Sequence, residues 1–475
     1  MNKTRRPSVA AEPSRWRRGF SAFFLLVLGA LAGCALSDSK SGALAPVAVE
    51  GALGAQTLER ITVEASKIEH PLVRSLVIDG RDGFSPDEIA VMALVGSPQL
   101  RALRDQRGVA QAQVLQAGIL PNPQLGYTLD RQSGNSDPTL INGRSLGVSW
   151  ELTSLLARHD RIAGARATAG ALDLDIAWQE WQTAQAARLN AFRLLALQQR
   201  LPLVRKIESD MAETLAAVRQ AAAQGHLTMV DLTMRTDQLI TAQNNRMAAE
   251  QEERTARSAL NLALGQPADA VIALKSAAGF PDLPAEVTPA TLLAGLEKRR
   301  LDLVALTLGY ESNEAGLRAA VKARFPKIGL SFAKASDTSN VRTHSFGVTV
   351  DLPLFDRNQG AIAAGKATRQ QLFDEYVARV ATARADVGLI FSNLTAVRAQ
   401  LQSATDSLPD LERLVAAYEQ ALETRNTDVT AYRDARGTLA VRRLDQANLR
   451  QQALELEVAL EIATGRPMLN LNRPH

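Results

Sequence analysis

The sequence predicts a mainly α-helical protein with a small β part, built from one duplicated unit that supplies four strands and long coiled-coil helices. Three observations predict it. First, the chain of 475 residues repeats itself: "SLGVSWEL" (145–152) returns as "SFGVTVDL" (345–352), "RIAGARA" (161–167) as "AIAAGKA" (361–367), and "ALNLALGQP" (259–267) as "ALEIATGRP" (459–467). All three pairs share one offset, and "PQLGYTL" (123–129) matches "PKIGLSF" (326–332) three residues further on. Such self-similarity is the signature of a repeated structural unit. Second, apolar residues alternate with small polar ones in two short stretches of each copy, as in a strand with one apolar face. Third, the rest is rich in Ala, Leu, Gln, Arg and Glu with aromatics at only 4%, a composition of long helices.

From the N-terminus, Lys3, Arg5, Arg6, Arg15, Arg17 and Arg18 precede the apolar run "FSAFFLLVLGALAG". That run is shorter than the roughly 20 residues a spanning helix needs, so 1–33 reads as an export signal. Leu31, Ala32, Gly33 and Cys34 resemble the lipobox of bacterial lipoproteins, which makes Cys34, the sole cysteine, the lipid attachment point and the first residue of the mature chain. Ala35 follows where an Asp would signal retention at the inner membrane, so the expected destination is the outer membrane. Removing the signal takes away six basic residues and Glu12, which turns the formal charge of +4 into about −1. The basic balance therefore belongs to the signal and implies no nucleic-acid partner. One cysteine excludes an intramolecular disulfide.

Residues 34–85, Ala- and Gly-rich at their start, read as a tether and wrap. The first repeat spans 86–267 and opens with a helix over about 98–118. Leu125, Tyr127 and Leu129 then define one strand, and Leu146, Val148 and Trp150 its hairpin partner, joined by the polar loop "RQSGNSDPTLINGR". A helix of close to 70 residues, about 100 Å long at 1.5 Å per residue, runs from about Ser154 to Gln224. "QGHLT" breaks it, and a return helix with Leu232, Leu239, Ala242, Ala249, Ala256, Leu260 and Ala263 at coiled-coil spacing ends at "GQP". Residues 268–287 link the copies. The second repeat, 288–467, places Ile328, Leu330 and Phe332 on one strand and Phe346, Val348 and Val350 on the next, and 468–475 form a tail. Pro202 and Pro409 fall inside the long helices and are expected to kink or break them. Asp356 and Asn358 in "FDRNQG" are expected to cap the helix that leaves the fourth strand, with Gly360 allowing a tight bend.

Four strands cannot close a barrel, because single-chain membrane barrels start at eight and an open edge in lipid leaves backbone groups unsatisfied. Several chains must pool their strands, and three copies give twelve. With "ILPNPQLGYTL" entering the first hairpin and "VTVDLPLFDRNQGAIAAGKA" leaving the second, everything after about residue 85 resembles the TolC-type outer-membrane efflux channel family. "DLPLFDRNQG" is most similar to its heavy-metal branch of CzcC-like and CusC-like proteins.

The resemblance implies a homotrimer with a twelve-stranded β-barrel on an α-helical barrel. Such a channel is the passive exit of a tripartite, RND-type pump, partnered by a periplasmic adaptor and an inner-membrane transporter. By the same resemblance Gly225, His226, Leu227 and Thr228, with Arg425, Asn426, Thr427 and Asp428 in copy two, form the periplasmic tip that meets the adaptor. His226 is a departure from the family pattern, and a helix stop alone also accounts for Gly225. Asp434 matches a position where three chains form a carboxylate ring at the entrance, a gate and cation filter; a solvated helix-face carboxylate is the other reading, with Arg433 and Arg436 beside it.

Catalysis is not expected. His70, His159, His226, His344 and His475 have no metal-ligand spacing, and no phosphate loop, HExxH or nucleophile motif is present. No cofactor or resident metal is expected. The cargo is expected to be heavy-metal cations on resemblance alone, since His, Cys and Met are too scarce for a transition-metal relay; a drug or organic-compound channel is the alternative. A periplasmic coiled-coil scaffold lipoprotein is the second alternative, and it leaves the four strands unexplained.

Overall fold

The computed structural model describes residues 49, 51, 57–73, 76–131, 141–275, 288–424 and 429–467. The chain divides into two units, Met1–Ala55 and Gln56–His475, and the second carries the strands and the long helices. It opens with α1 (Leu58–Ala65), α2 (Pro86–Gly96) and α3 (Pro98–Gly118). The hairpin β1 (Gln124–Asp130) and β2 (Gly143–Glu151) leads into α4 (Ser154–Ala223), and α5 (Met229–Ala263) returns alongside it. Copy two repeats the order. Short helices α6 (Pro289–Leu293) and α7 (Leu296–Arg299) precede α8 (Leu301–Lys322), β3 (Lys327–Ser336), β4 (Arg342–Asp351), α9 (Gln359–Glu423) and α10 (Val429–Thr464).

The long helices are unbroken. Pro202 lies within the 70 residues of α4 and Pro409 within the 65 of α9, so neither proline ends its helix as expected. A proline removes one backbone hydrogen bond and crowds the preceding turn. Along α4 that loss is offset by packing against α2, α3, α5, α8 and α10. Two shorter helices together cover one long one. α3 meets the first part of α4, where Gly118 lies against Ile162, and α5 meets the later part, where Glu252 pairs with Arg200. The turn between α2 and α3 meets the end of α5 at Gly96 and Gly265, where a Cβ on either would stand 2.4 Å from a carbonyl oxygen of the other segment. Gly265 also sits at φ 64°, so both close approach and conformation demand glycine there.

Each copy has its own core. Ala187, Leu194 and Leu260 belong to one buried cluster, and Val387, Leu394 and Leu460, each 200 positions on, belong to another. The first cluster extends to Ile61 of α1 and to Ile89 and Met92 of α2, so α1 and α2 are packed onto the long helices.

His70 fastens that N-terminal segment. Its Nδ1 accepts from the backbone N–H of Leu72 (3.0 Å) and Val73 (3.1 Å), which leaves the ring proton on Nε2, facing the Ala177 carbonyl (3.1 Å) and Glu180 (3.5 Å). Burial holds its pKa below the ordinary 6.5; Glu180 opposes this, and Arg104 and Arg107 reinforce it. The unfolded chain then binds the proton first, so stability falls as pH drops below about 6.5 toward the folded value. Protection of the Leu72 and Val73 amides from hydrogen exchange is therefore expected to decline between pH 7 and pH 5. In His70→Gln that pH dependence should flatten; an unchanged slope would assign the acid response elsewhere.

Candidate channel surfaces

The four strands form one antiparallel sheet in the order β1-β2-β3-β4, and the two hairpins join through β2 and β3. Directly opposed residues share a face. Leu125 opposes Val148 and Tyr127 opposes Leu146; Val148 opposes Phe332 and Trp150 opposes Leu330; Ile328 opposes Val350, Leu330 opposes Val348, and Phe332 opposes Phe346. Together with Leu129, all twelve strand residues expected from the alternation therefore lie on a single face. That face is open: Leu125 is 63% exposed and Phe346 70%. The other face carries small and hydroxyl residues, among them Gly126, Thr128, Ser145, Gly147, Ser331, Ser345 and Thr349. Toward the β1–β2 and β3–β4 turns the apolar face gives way to Arg144, Lys334 and His344. Among the described residues β1 and β4 each pair on one side only, which leaves two free edges.

At the exit from β4 the expectation needs correcting. Asn358 precedes α9 but its side chain caps no helix amide; Nδ2 donates instead to the Ala320 carbonyl of α8 at 2.8 Å. Asp356 accepts from the Asn358 amide at 2.9 Å and does not cap α9 either. The sharp bend lies at Asn358, with φ 56°, rather than at Gly360, which is already helical. Asn tolerates the left-handed region, and there its amide can anchor α9 to α8.

At the opposite end, Gly225 follows α4 with φ 79°, and among the described residues nothing lies within 4 Å of where a Cβ would stand, so its conformation selects glycine. Thr228 caps α5 in a reciprocal box: Oγ1 accepts from the Asp231 amide (3.2 Å), and Asp231 Oδ2 accepts from the Thr228 amide (3.0 Å). The Thr228 hydroxyl also holds the Asp231 carboxyl below its usual range. His226 and Leu227 are exposed in this turn, followed by Met229 and Val230, 72% and 68% exposed. Arg425, Asn426, Thr427, Asp428 and Cys34 lie outside the described residues.

Asp434 on α10 is half-exposed and bonded to Arg235 on α5, at 3.0 and 3.4 Å through both oxygens. Arg433 donates to the Glu213 carbonyl and Arg436 to Asp210, so all three join α10 to copy one just past the tip. Sequence reasoning missed the Arg235 partner, because a contact 199 positions apart leaves no trace in local pattern. It also passed over Arg188, which is buried between Asp87 and Glu461 at 2.6 Å each.

A duplicated helix–hairpin–long helix–return helix unit, joined into an open-edged amphipathic sheet, defines a subunit of a pore-forming protein class. Residues 89–266 and 292–466 both match the model of the family described as outer membrane efflux protein, and the chain belongs to that family. It is 24% identical over 383 residues, 80% of this chain and 90% of the relative, to the cobalt-zinc-cadmium resistance protein CzcC of Cupriavidus metallidurans. Its fold is similar to the crystal structure of CusC (TM-score 0.64, 18% identity, covering 81% of this chain and 92% of that one). It is similar also to a membrane protein of Pseudomonas aeruginosa (TM-score 0.67, 20% identity, covering 84% and 99%).

Proposed function

We propose that three copies of this chain pool their sheets into a twelve-stranded barrel in the outer membrane, continued through the periplasm by the long helices. The trimer acts as the passive exit duct of a tripartite, RND-type efflux pump. The observation that carries this reading is the sheet: one exposed apolar face, one small polar face, and two edges whose backbone groups need partners in lipid. Closure of β4 on β1 of the next copy satisfies both. The periplasmic adaptor is assigned to the tip at Gly225, His226, Leu227 and Thr228, with Arg425, Asn426, Thr427 and Asp428, and an inner-membrane transporter supplies energy and selects cargo. Cys34 anchors the mature chain to the same membrane. Heavy-metal cations are the cargo favoured by the likeness to CzcC.

Two measurements test the reading. In nanodiscs the purified protein should have the mass of three chains and a β-sheet signal; a monomer without one would favour the scaffold lipoprotein. A deletion strain should lose growth on zinc, cobalt or cadmium; loss confined to antibiotics would make the cargo organic.

Asp434 is assigned to the entrance, held back by Arg235. Freed from that partner in Arg235→Ala, α10 is expected to move more readily and three carboxylates to face one another, which opens the mouth by repulsion. Uptake of a large antibiotic normally excluded by the outer membrane should rise severalfold, and Asp434→Asn in the same background should reduce it again. Equal uptake in all strains would make Asp434 an ordinary surface carboxylate.

A further inference from the structure

We infer that the sheet-proximal end of α4 holds an anionic phospholipid of the inner leaflet, with its phosphate among Arg158, His159 and Arg166 and an acyl chain along the apolar face of the sheet. The inference rests on the reading that this face meets lipid. A cleft of about 380 Å³ opens between the end of α3 and the start of α4, with Leu120, Leu155 and Ile162 on its floor and the three basic residues around it. The floor continues the sheet. Trp150, on the apolar face, donates Nε1 to the Pro121 carbonyl at 2.7 Å, which brings the 119–121 segment to that side; Ile119 and Leu120 are 49% and 48% exposed there.

Among the described residues the arginines at this end of α4 lack acid partners, whereas most of those farther along the helix have one, Arg219 being the exception. Farther along the helix Arg188, Arg193, Arg200 and Arg205 each pair with a carboxylate. Among the described residues Arg158 and Arg166 have no acid partner. Arg158 donates Nε to the Gly118 carbonyl at 2.8 Å, which fixes its guanidinium at the cleft while its terminal nitrogens bond nothing among the described residues. The carboxylate nearest His159, Asp160 at 4.0 Å, is already taken by Lys322 (2.6 Å) and Arg318 (3.3 Å). A free phosphate would satisfy the cations and leave the apolar floor wet; a hydrocarbon would do the reverse. A glycerophospholipid meets both, and a headgroup without its own ammonium suits two arginines best.

Native mass spectrometry of the full-length protein with added phosphatidylglycerol, phosphatidylethanolamine or inorganic phosphate tests this. The wild type should retain phosphatidylglycerol in preference to phosphatidylethanolamine, and Arg158→Gln/Arg166→Gln should bind it about 30-fold less well. Arg193→Gln should bind like the wild type and serves as the folding control. Equal retention by wild type and double variant, no headgroup preference, or displacement by millimolar phosphate would each overturn the inference. Brominated-lipid quenching of Trp150 keeps the two readings apart: quenching with equal retention sinks the lipid site alone, while no quenching removes the lipid-facing sheet and this site with it.

Discussion

Phe346→Arg is expected to cost each subunit about 2–4 kcal/mol in the bilayer, while Ser345→Arg, one residue away, costs far less. Phe346 sits midway along β4, 70% exposed, opposite Phe332 on the apolar face. Ser345 opposes Ala333 on the other face. In the proposed barrel an arginine at the first position must strip its charge of water or bend its side chain to the headgroups, whereas at the second it points into the water-filled lumen. In the proposed trimer the penalty is incurred three times. The measurement is the yield of folded trimer in the outer-membrane fraction, with thermal stability in lipid as the second readout. Phe346→Arg should nearly abolish assembly, and Ser345→Arg should assemble and change conductance. Equal yields would show that the two faces do not meet different solvents, and the pooled-barrel reading would fall.

Much of this fold was legible in the sequence because period and repetition survive in one dimension. Twelve apolar strand residues fell on one face because parity along a strand decides the face, whatever the pairing partner. The helix stops near Gly225 and Gly265 were readable because both turns take positive φ, and glycine supplies it. What the sequence hid depends on tertiary neighbours. Pro202 carries a strong local signal against helix, yet α4 runs through it because five other helices pack along that rod. Asn358 looked like a cap, but the presence of the Ala320 carbonyl on α8 redirected its amide. His70, Arg188 and Arg235 each look like an ordinary surface residue in sequence; their roles come from partners more than 100 positions away. The pattern of arginines along α4 carries its meaning only once the paired ones are separated from the unpaired.

The second large effect concerns Arg188, where the copies are fastened together inside the helical body. Its guanidinium reaches Asp87 of α2 through Nε and Glu461 of α10 through a terminal nitrogen, both at 2.6 Å, with the Phe192 ring 5.7 Å away. The Arg188 side chain is 5% exposed and that of Glu461 not at all. Burial pushes the Asp87 carboxyl up, and Arg188 works against that rise. Removing one member of a buried ionic group leaves the others desolvated without their counter-charge, at a cost of about 3–5 kcal/mol. Arg188→Met is therefore expected to lower the thermal midpoint sharply, even though methionine fills similar space. Replacing the acids as well, in Asp87→Asn/Arg188→Met/Glu461→Met, should recover most or all of the loss, since an apolar core of equal volume is often as stable as the ionic one. Acid separates this effect from simple misfit. In the single variant the buried carboxyls should have raised pKa values, so their penalty is present above those values and is relieved as pH falls through them. The single variant should thus gain on the triple variant as the medium is acidified. A constant gap between them would mean that lost packing, rather than stranded charge, destabilises the protein.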